Sequence, residues 1–193
     1  KAQAAFYEVK SDESVYALLA IYYHSHILYS KGKYQTALNG FQKLESHPSL
    51  KAIVPYYITQ IYYYQNKNEE LLEYAIPLLE SGSAKRESEI ARMIGEAYYR
   101  NEEYKKSVPY LKQYVDKKRN IASEDLYQLA YAQYKSNLSN EAIESFERLA
   151  SQKDTLGQLS YYYLGDIFLK KNEKEKARVA FKYASSVYFD EEL

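Results

Sequence analysis

The side chains that could do chemistry in this chain of 193 residues are three histidines, a few paired carboxylates and an unusual number of phenols. His24 and His26 are the nearest thing to a ligand pair. Residues two apart on a helix point in different directions, so the two imidazoles cannot converge on one metal ion. His24 is expected instead to fill a core site where equivalent positions further along hold Ile58, Ile94, Leu129 and Leu164. His47 stands near a loop with no partner at a useful spacing. Glu69 with Glu70, Glu102 with Glu103, and Asp190 to Glu192 fall at turns and ends, where acids cap helices rather than form acid/base pairs. No phosphate-binding loop, dinucleotide glycine pattern, H-E-x-x-H or G-x-S-x-G is present. With no cysteine there is no thiol nucleophile, thiolate metal site or disulfide framework. The expectation is a non-enzyme with no cofactor and no metal. What remains is tyrosine: 25 residues, against no tryptophan. An apolar ring with a polar tip suits half-buried and ligand-binding surfaces.

Positioning such rings needs a folded scaffold, and the composition supplies one. At 46% hydrophobic and 27% charged the chain can bury a sizeable core without metal or disulfide. Lysine plus arginine and aspartate plus glutamate number 26 each, so the overall field gives no reason to expect nucleic acid or an anionic membrane as partner. The most apolar run, Val15 to Tyr29, is interrupted by His24, Ser25 and His26 and is too short to span a bilayer, so no membrane insertion is expected. The chain opens inside a helical pattern, without an initiator methionine, and reads as an excised fragment.

The scaffold is repetitive. Taking Ala177 as an anchor, equivalent sites fall at Ala142, Ser107, Leu71, Ala37 and Ala2, at spacings of 35, 35, 36, 34 and 35. Four residues after the anchors come Phe6, Phe41, Ala75, Leu111, Phe146 and Phe181; twelve before them come the small residues Ser25, Thr59, Gly95, Ala130 and Gly165. A small residue lets two helix backbones approach, and the large ones fill the space beside it. Gly32, Asn66, Asn101, Asn137 and Asn172 are expected to end helices in the left-handed conformation. Ser123, followed by Glu124 and Asp125, reads as an N-cap. Pro77 and Pro109 are expected to bend helices rather than break them, and residues 80–87 are a hinge candidate.

This pattern resembles the tetratricopeptide repeat family, whose consensus includes L-G-x-x-Y followed by A-x-x-x-F. The likeness is carried by LGDIF with ARVAF, by IGEAY, and by LAYAQ with AIESF, and it is weakest over Ile53 to Leu79. The family's tryptophan site holds Ile21, Pro55, Ala91, Leu126 and Tyr161, and only Pro48 lies near the place of the proline that usually ends a unit. The fold implied is all-α, a right-handed α-solenoid of helix-turn-helix repeats. About five hairpins follow one orphan helix at residues 1–10, in repeats 11–49, 50–86, 87–121, 122–155 and 156–193 of a single solenoid domain.

The resemblance also implies where function lies. First helices of successive repeats would line a concave groove, facing it with the sites three before, one after, and four or five after the small residue. Here these include Tyr22, His26, Tyr29, Tyr56, Gln60, Tyr63, Arg92, Tyr99, Arg100, Tyr127, Tyr131, Tyr134 and Tyr162. Tyr23, Tyr57, Tyr98 and Tyr163 occupy sites expected to pack, and Arg92 lies at pairing distance from Glu89 and Glu96 in a solvated charge network. The lysine and asparagine sites of the chaperone-type carboxylate clamp hold tyrosine and other residues, so that ligand is not expected. The leading reading is a scaffold binding a protein or peptide. Glycan stacking, and a purely structural segment that self-associates through exposed terminal helices, are the alternatives. The composition resembles that of bacterial envelope proteins of the family.

Overall fold

A computed structural model describes Ala4, Tyr7, residues 16–83 and residues 85–186; the orphan helix expected at residues 1–10 lies almost wholly outside the described residues. Ten helices run through them: α1 (Ala17–Ser30), α2 (Tyr34–Gln42), α3 (Val54–Tyr64), α4 (Asn68–Glu80), α5 (Glu87–Arg100), α6 (Tyr104–Lys117), α7 (Ser123–Lys135), α8 (Ser139–Ala150), α9 (Thr155–Lys170) and α10 (Lys174–Ser186). The chain is an all-α solenoid of helical hairpins. It divides into two compact units, Lys1–Ala97 and Tyr98–Leu193. In the first, α1 packs on α2, α2 on α3 and α3 on α4; in the second, α6 through α10 pack each on the next and α7 also meets α9.

Five turns of one design make the hairpins. The residue five before each anchor has positive φ: Gly32 (70°), Asn66 (54°), Glu102 (59°), Asn137 (61°) and Asn172 (60°). The next residue's N–H then reaches back to the carbonyl five positions earlier, as in Lys33 to Leu28 and Lys67 to Tyr62 at 2.9 Å, satisfying a carbonyl that the helix end leaves open. The third turn corrects the sequence expectation. Glu102, not Asn101, takes the left-handed conformation, because backbone register fixes the position and the residue type only adjusts its cost.

One helix start adds a further correction. Ala122 is the N-cap of α7, with no side-chain bond, and Ser123 is already helical, with Glu124 and Asp125 in the first turn. Asp154 does cap α9, accepting from Gly157 N–H at 2.9 Å. Helices α4 and α6 run on past Pro77 and Pro109. Both prolines are solvent-exposed, as are Glu73 and Lys105 four residues back, whose carbonyls lose their N–H donor, so the loss falls on the wet side of each helix. The connection after α4 is tied down, since Lys85 N–H donates to Ala52 O at 2.8 Å.

The small sites do what their size suggests. Ser25 and Thr59 are buried, and each hydroxyl bonds the carbonyl four residues back, Ile21 at 2.7 Å and Pro55 at 2.9 Å. At Gly165 an added Cβ would stand 2.7 Å from the Phe181 ring, so glycine is what permits α9 and α10 to meet there. The anchors Ala37, Leu71, Ser107, Ala142 and Ala177 are buried, as are Phe41 and Phe146 four residues on. These phenylalanines, placed by the second helix of a hairpin, are the base on which the tyrosines assemble.

Candidate functional site

In the first unit, Tyr57 of α3 stacks on Phe41 with centroids 5.2 Å apart and planes 8° from parallel. Tyr22 of α1 meets Phe41 edge-on at 6.1 Å and 67°. His26 and Tyr29 close on Tyr57 at 5.2 and 5.7 Å. Three repeats further on, the second unit has the same arrangement. Tyr163 stacks on Phe146 at 5.4 Å and 16°, Tyr127 meets Phe146 at 6.1 Å and 65°, and Tyr131 and Tyr134 close on Tyr163 at 5.4 and 5.0 Å. The clusters differ at one position, where His26 stands for Tyr131. All the tyrosines and the histidine of both clusters are half-buried.

Polar contacts tie successive repeats by a second rule. The tyrosine four after a small residue reaches the residue one after the next small residue. Tyr29 donates to Gln60 Oε1 at 2.9 Å, Tyr63 to Glu96 Oε2 at 2.5 Å, and Tyr134 to Asp166 Oδ2 at 2.8 Å. The corresponding Tyr99 meets Tyr131 ring to ring at 6.0 Å. Gln60 passes the chain on, its Nε2 donating to Tyr56 Oη at 2.8 Å. Glu96 is only 4% exposed and forms an ion pair with Arg92, whose guanidinium lies 5.6 Å from the Tyr63 ring centre. Asp166 pairs with Lys170 at 2.6 Å, and Lys170 Nζ also donates to Tyr134 Oη at 2.9 Å.

The electrostatics follow from these contacts. Burial pushes the phenols of Tyr22, Tyr29, Tyr99 and Tyr127 well above the usual tyrosine range, and their tyrosine neighbours add to it. Tyr134 and Tyr163 are raised for the same first reason. Lys170 is held upward by its bonds to Asp166 and then Tyr134. A phenol that keeps its proton is neither a nucleophile nor a base at neutral pH.

The expected site residues other than Arg100 and Tyr162 are therefore gathered into two clusters and their ties to neighbouring repeats. Tyr22, His26 and Tyr29 join Gln60 and the buried Tyr56 in the first unit, and Tyr63 joins Arg92. Arg92 differs from the solvated network expected, because the carboxylate it meets is buried. Tyr99, Tyr127, Tyr131 and Tyr134 come together in the second unit. Tyr162 meets Phe181 edge-on at 6.0 Å, and Arg100 is exposed. Sequence reasoning set aside Tyr57 and Tyr163 as packing residues, yet they are the central ring of each cluster as well. It also passed over Tyr34, stacked on Tyr64 at 5.6 Å, and Tyr104, 5.6 Å from Tyr131. A phenylalanine four after the anchors Ala37 and Ala142, with a tyrosine two before the next small residue, was the available signal. Tyr23, also expected to pack, is 48% exposed and meets Tyr22 edge-on.

The histidines stand apart as their spacing required. His24 is buried, 5.6 Å from the Tyr7 ring, and His47 Nδ1 accepts from Ser49 N–H at 3.3 Å. Among the described residues no three acids or histidines are grouped so as to hold a metal ion, and no helix is long and apolar enough to cross a membrane.

Comparison with known proteins gives a consistent result. Residues 126–152 match the tetratricopeptide repeat family. Among solved structures the chain is similar to YrrB, described as a TPR protein with an unusual peptide-binding site, at 20% identity and a TM-score of 0.76 over 99% of this chain and 94% of that one. It is similar to MamA AMB-1 at 17% identity and a TM-score of 0.71, over 88% of this chain and 91% of that one. A putative kinesin light chain of Podospora anserina with nearly identical TPR-like repeats aligns at 15% identity and a TM-score of 0.58, over 91% of this chain and 96% of that one. No curated protein matches by sequence.

Proposed function

We propose that this chain, a tetratricopeptide-repeat solenoid, is a non-catalytic scaffold that binds a protein or peptide on its tyrosine clusters. The observation that carries the reading is the recurrence, three repeats apart, of one half-exposed aromatic arrangement. Packing alone asks only that rings be buried. Here Tyr22, Tyr29, Tyr127, Tyr131 and Tyr134 are pinned by neighbours while staying only half-buried. Rings already fixed lose little freedom when a ligand arrives, which is how tyrosine-rich binding faces gain affinity. The peptide-binding site named for YrrB agrees with this reading.

Selection of a displayed random-peptide library against the chain tests it. The informative variant replaces Tyr29 and Tyr134 by leucine, the residue that the last hairpin already holds at that place, Leu169. Truncating Tyr56 or Tyr127 to alanine is less clean, since one is buried and the other lies against Phe146. Selected peptides are expected to lose about tenfold or more in affinity on the double variant while its helicity is unchanged. Peptides that bind the variant equally well would refute the assignment, and binding confined to a glycan array would favour sugar stacking instead.

A further inference from the structure

The carboxylates around the two clusters are neutralised and already accept hydrogen bonds. Arg92 neutralises Glu96, and Lys170 neutralises Asp166. The hydroxyls of Tyr29, Tyr63 and Tyr134 donate to Gln60, Glu96 and Asp166. What each cluster offers a visitor is ring faces and edges, with adjacent centroids 5.0 to 6.4 Å apart. A ligand rich in peptide N–H groups would lose water there against acceptors that are already engaged, at about 1–3 kcal/mol for each group left unpaired. A basic ligand would meet carboxylates already neutralised and the cations Lys135, 5.9 Å from the Tyr131 ring centre, and Arg86, 4.8 Å from that of Tyr56. Proline has no N–H, and a polyproline II segment is extended before it binds and so loses little entropy. Its flat, electron-poor ring hydrogens suit the face of a phenol.

Resting on the peptide-binding reading above, we propose that the ligand class is a proline-rich segment in polyproline II conformation. Its pyrrolidine rings lie against Tyr22, His26 and Tyr29 in the first unit or Tyr127, Tyr131 and Tyr134 in the second. Tyr57 and Tyr163 form the floor, each held flat by the phenylalanine beneath it. Position 26 and its counterpart 131 set the strength of each cluster, because a phenol ring presents more face than an imidazole. The second unit is therefore the stronger site.

The probe is decaproline, titrated calorimetrically and by NMR of ring-labelled tyrosines, beside a matched peptide in which alternate prolines are alanine. Decaproline is expected to bind, to shift the cluster tyrosines, and to keep its affinity from low to high salt. Tyr131→His should weaken binding at the second unit about tenfold, and His26→Tyr should strengthen it at the first by a similar factor. Both residue types already occupy this place in the fold, so neither variant should unfold. Equal binding of the alanine-containing peptide, a steep salt dependence, or indifference to both substitutions would overturn the proposal. If library-selected peptides bind the tyrosine faces and decaproline does not, this inference falls while the peptide-binding reading stands; if neither binds there, both fall.

Discussion

Glu96 shows how far single contacts tie one repeat of the first unit to the next. Its carboxylate is almost fully buried, accepts from Tyr63 at 2.5 Å and pairs with Arg92. Removing the phenol hydroxyl in Tyr63→Phe takes away one of these contacts without leaving a void. A loss of about 1–3 kcal/mol is expected, measured by urea denaturation. Pairing of Arg92 was readable from helical spacing; the burial of its carboxylate was not, because that depends on Tyr63 one repeat earlier. The raised phenols carry a pH signature. Below the ordinary tyrosine pKa of about 10, folded and unfolded chains are both protonated and the contribution is intact. Above it the unfolded chain sheds protons that Tyr22, Tyr29, Tyr99 and Tyr127 retain, so stability must fall as pH rises. An ultraviolet titration should show two tyrosine populations, the later one ionising together with loss of helix. A single transition near the ordinary value, with helix intact, would contradict this.

At the scale of the element, the five turns are set by backbone register. Glu102 sits at φ 59° where glycine or asparagine serve elsewhere, and a Cβ in that conformation costs about 1–2 kcal/mol. Glu102→Gly should therefore raise the thermal midpoint, by a stabilisation of about 1 kcal/mol less the added flexibility of the unfolded chain. The hairpins, their anchors and their small crossing residues were legible in the sequence because each is a local, periodic requirement repeated five times. The misplacement of this turn at Asn101 shows the limit, since residue preference was weighed above the strict spacing that names position 102. Ser123 misled in the same way: its type suits a cap, but the helix begins one residue earlier, with Ala122 as its extended N-cap.

For the whole molecule, each of the two units carries its own cluster built by one rule: phenylalanine four after an anchor, tyrosine two before the next small residue, and rings three before, one after and four after the small residue preceding the anchor. Of the expected binding residues, Tyr22, His26, Tyr29, Tyr127, Tyr131 and Tyr134 fall within these clusters. What escaped the sequence was that Tyr57 and Tyr163 serve core and surface together, because a residue's partial burial follows from the tilt of its neighbours rather than from its place in the repeat. Glu96 and Asp166 are each paired with a basic residue four away on the same helix, which a net charge of zero cannot reveal. The binding claim is tested most directly by NMR of ring-labelled tyrosines during titration with a library-selected peptide. The account predicts shifts concentrated at Tyr22, Tyr29 and Tyr57 or at Tyr127, Tyr131, Tyr134 and Tyr163. Unmoved cluster rings, with shifts instead at Tyr161 and Tyr183 lining the apolar cavity of about 530 Å³ between α8, α9 and α10, would contradict it.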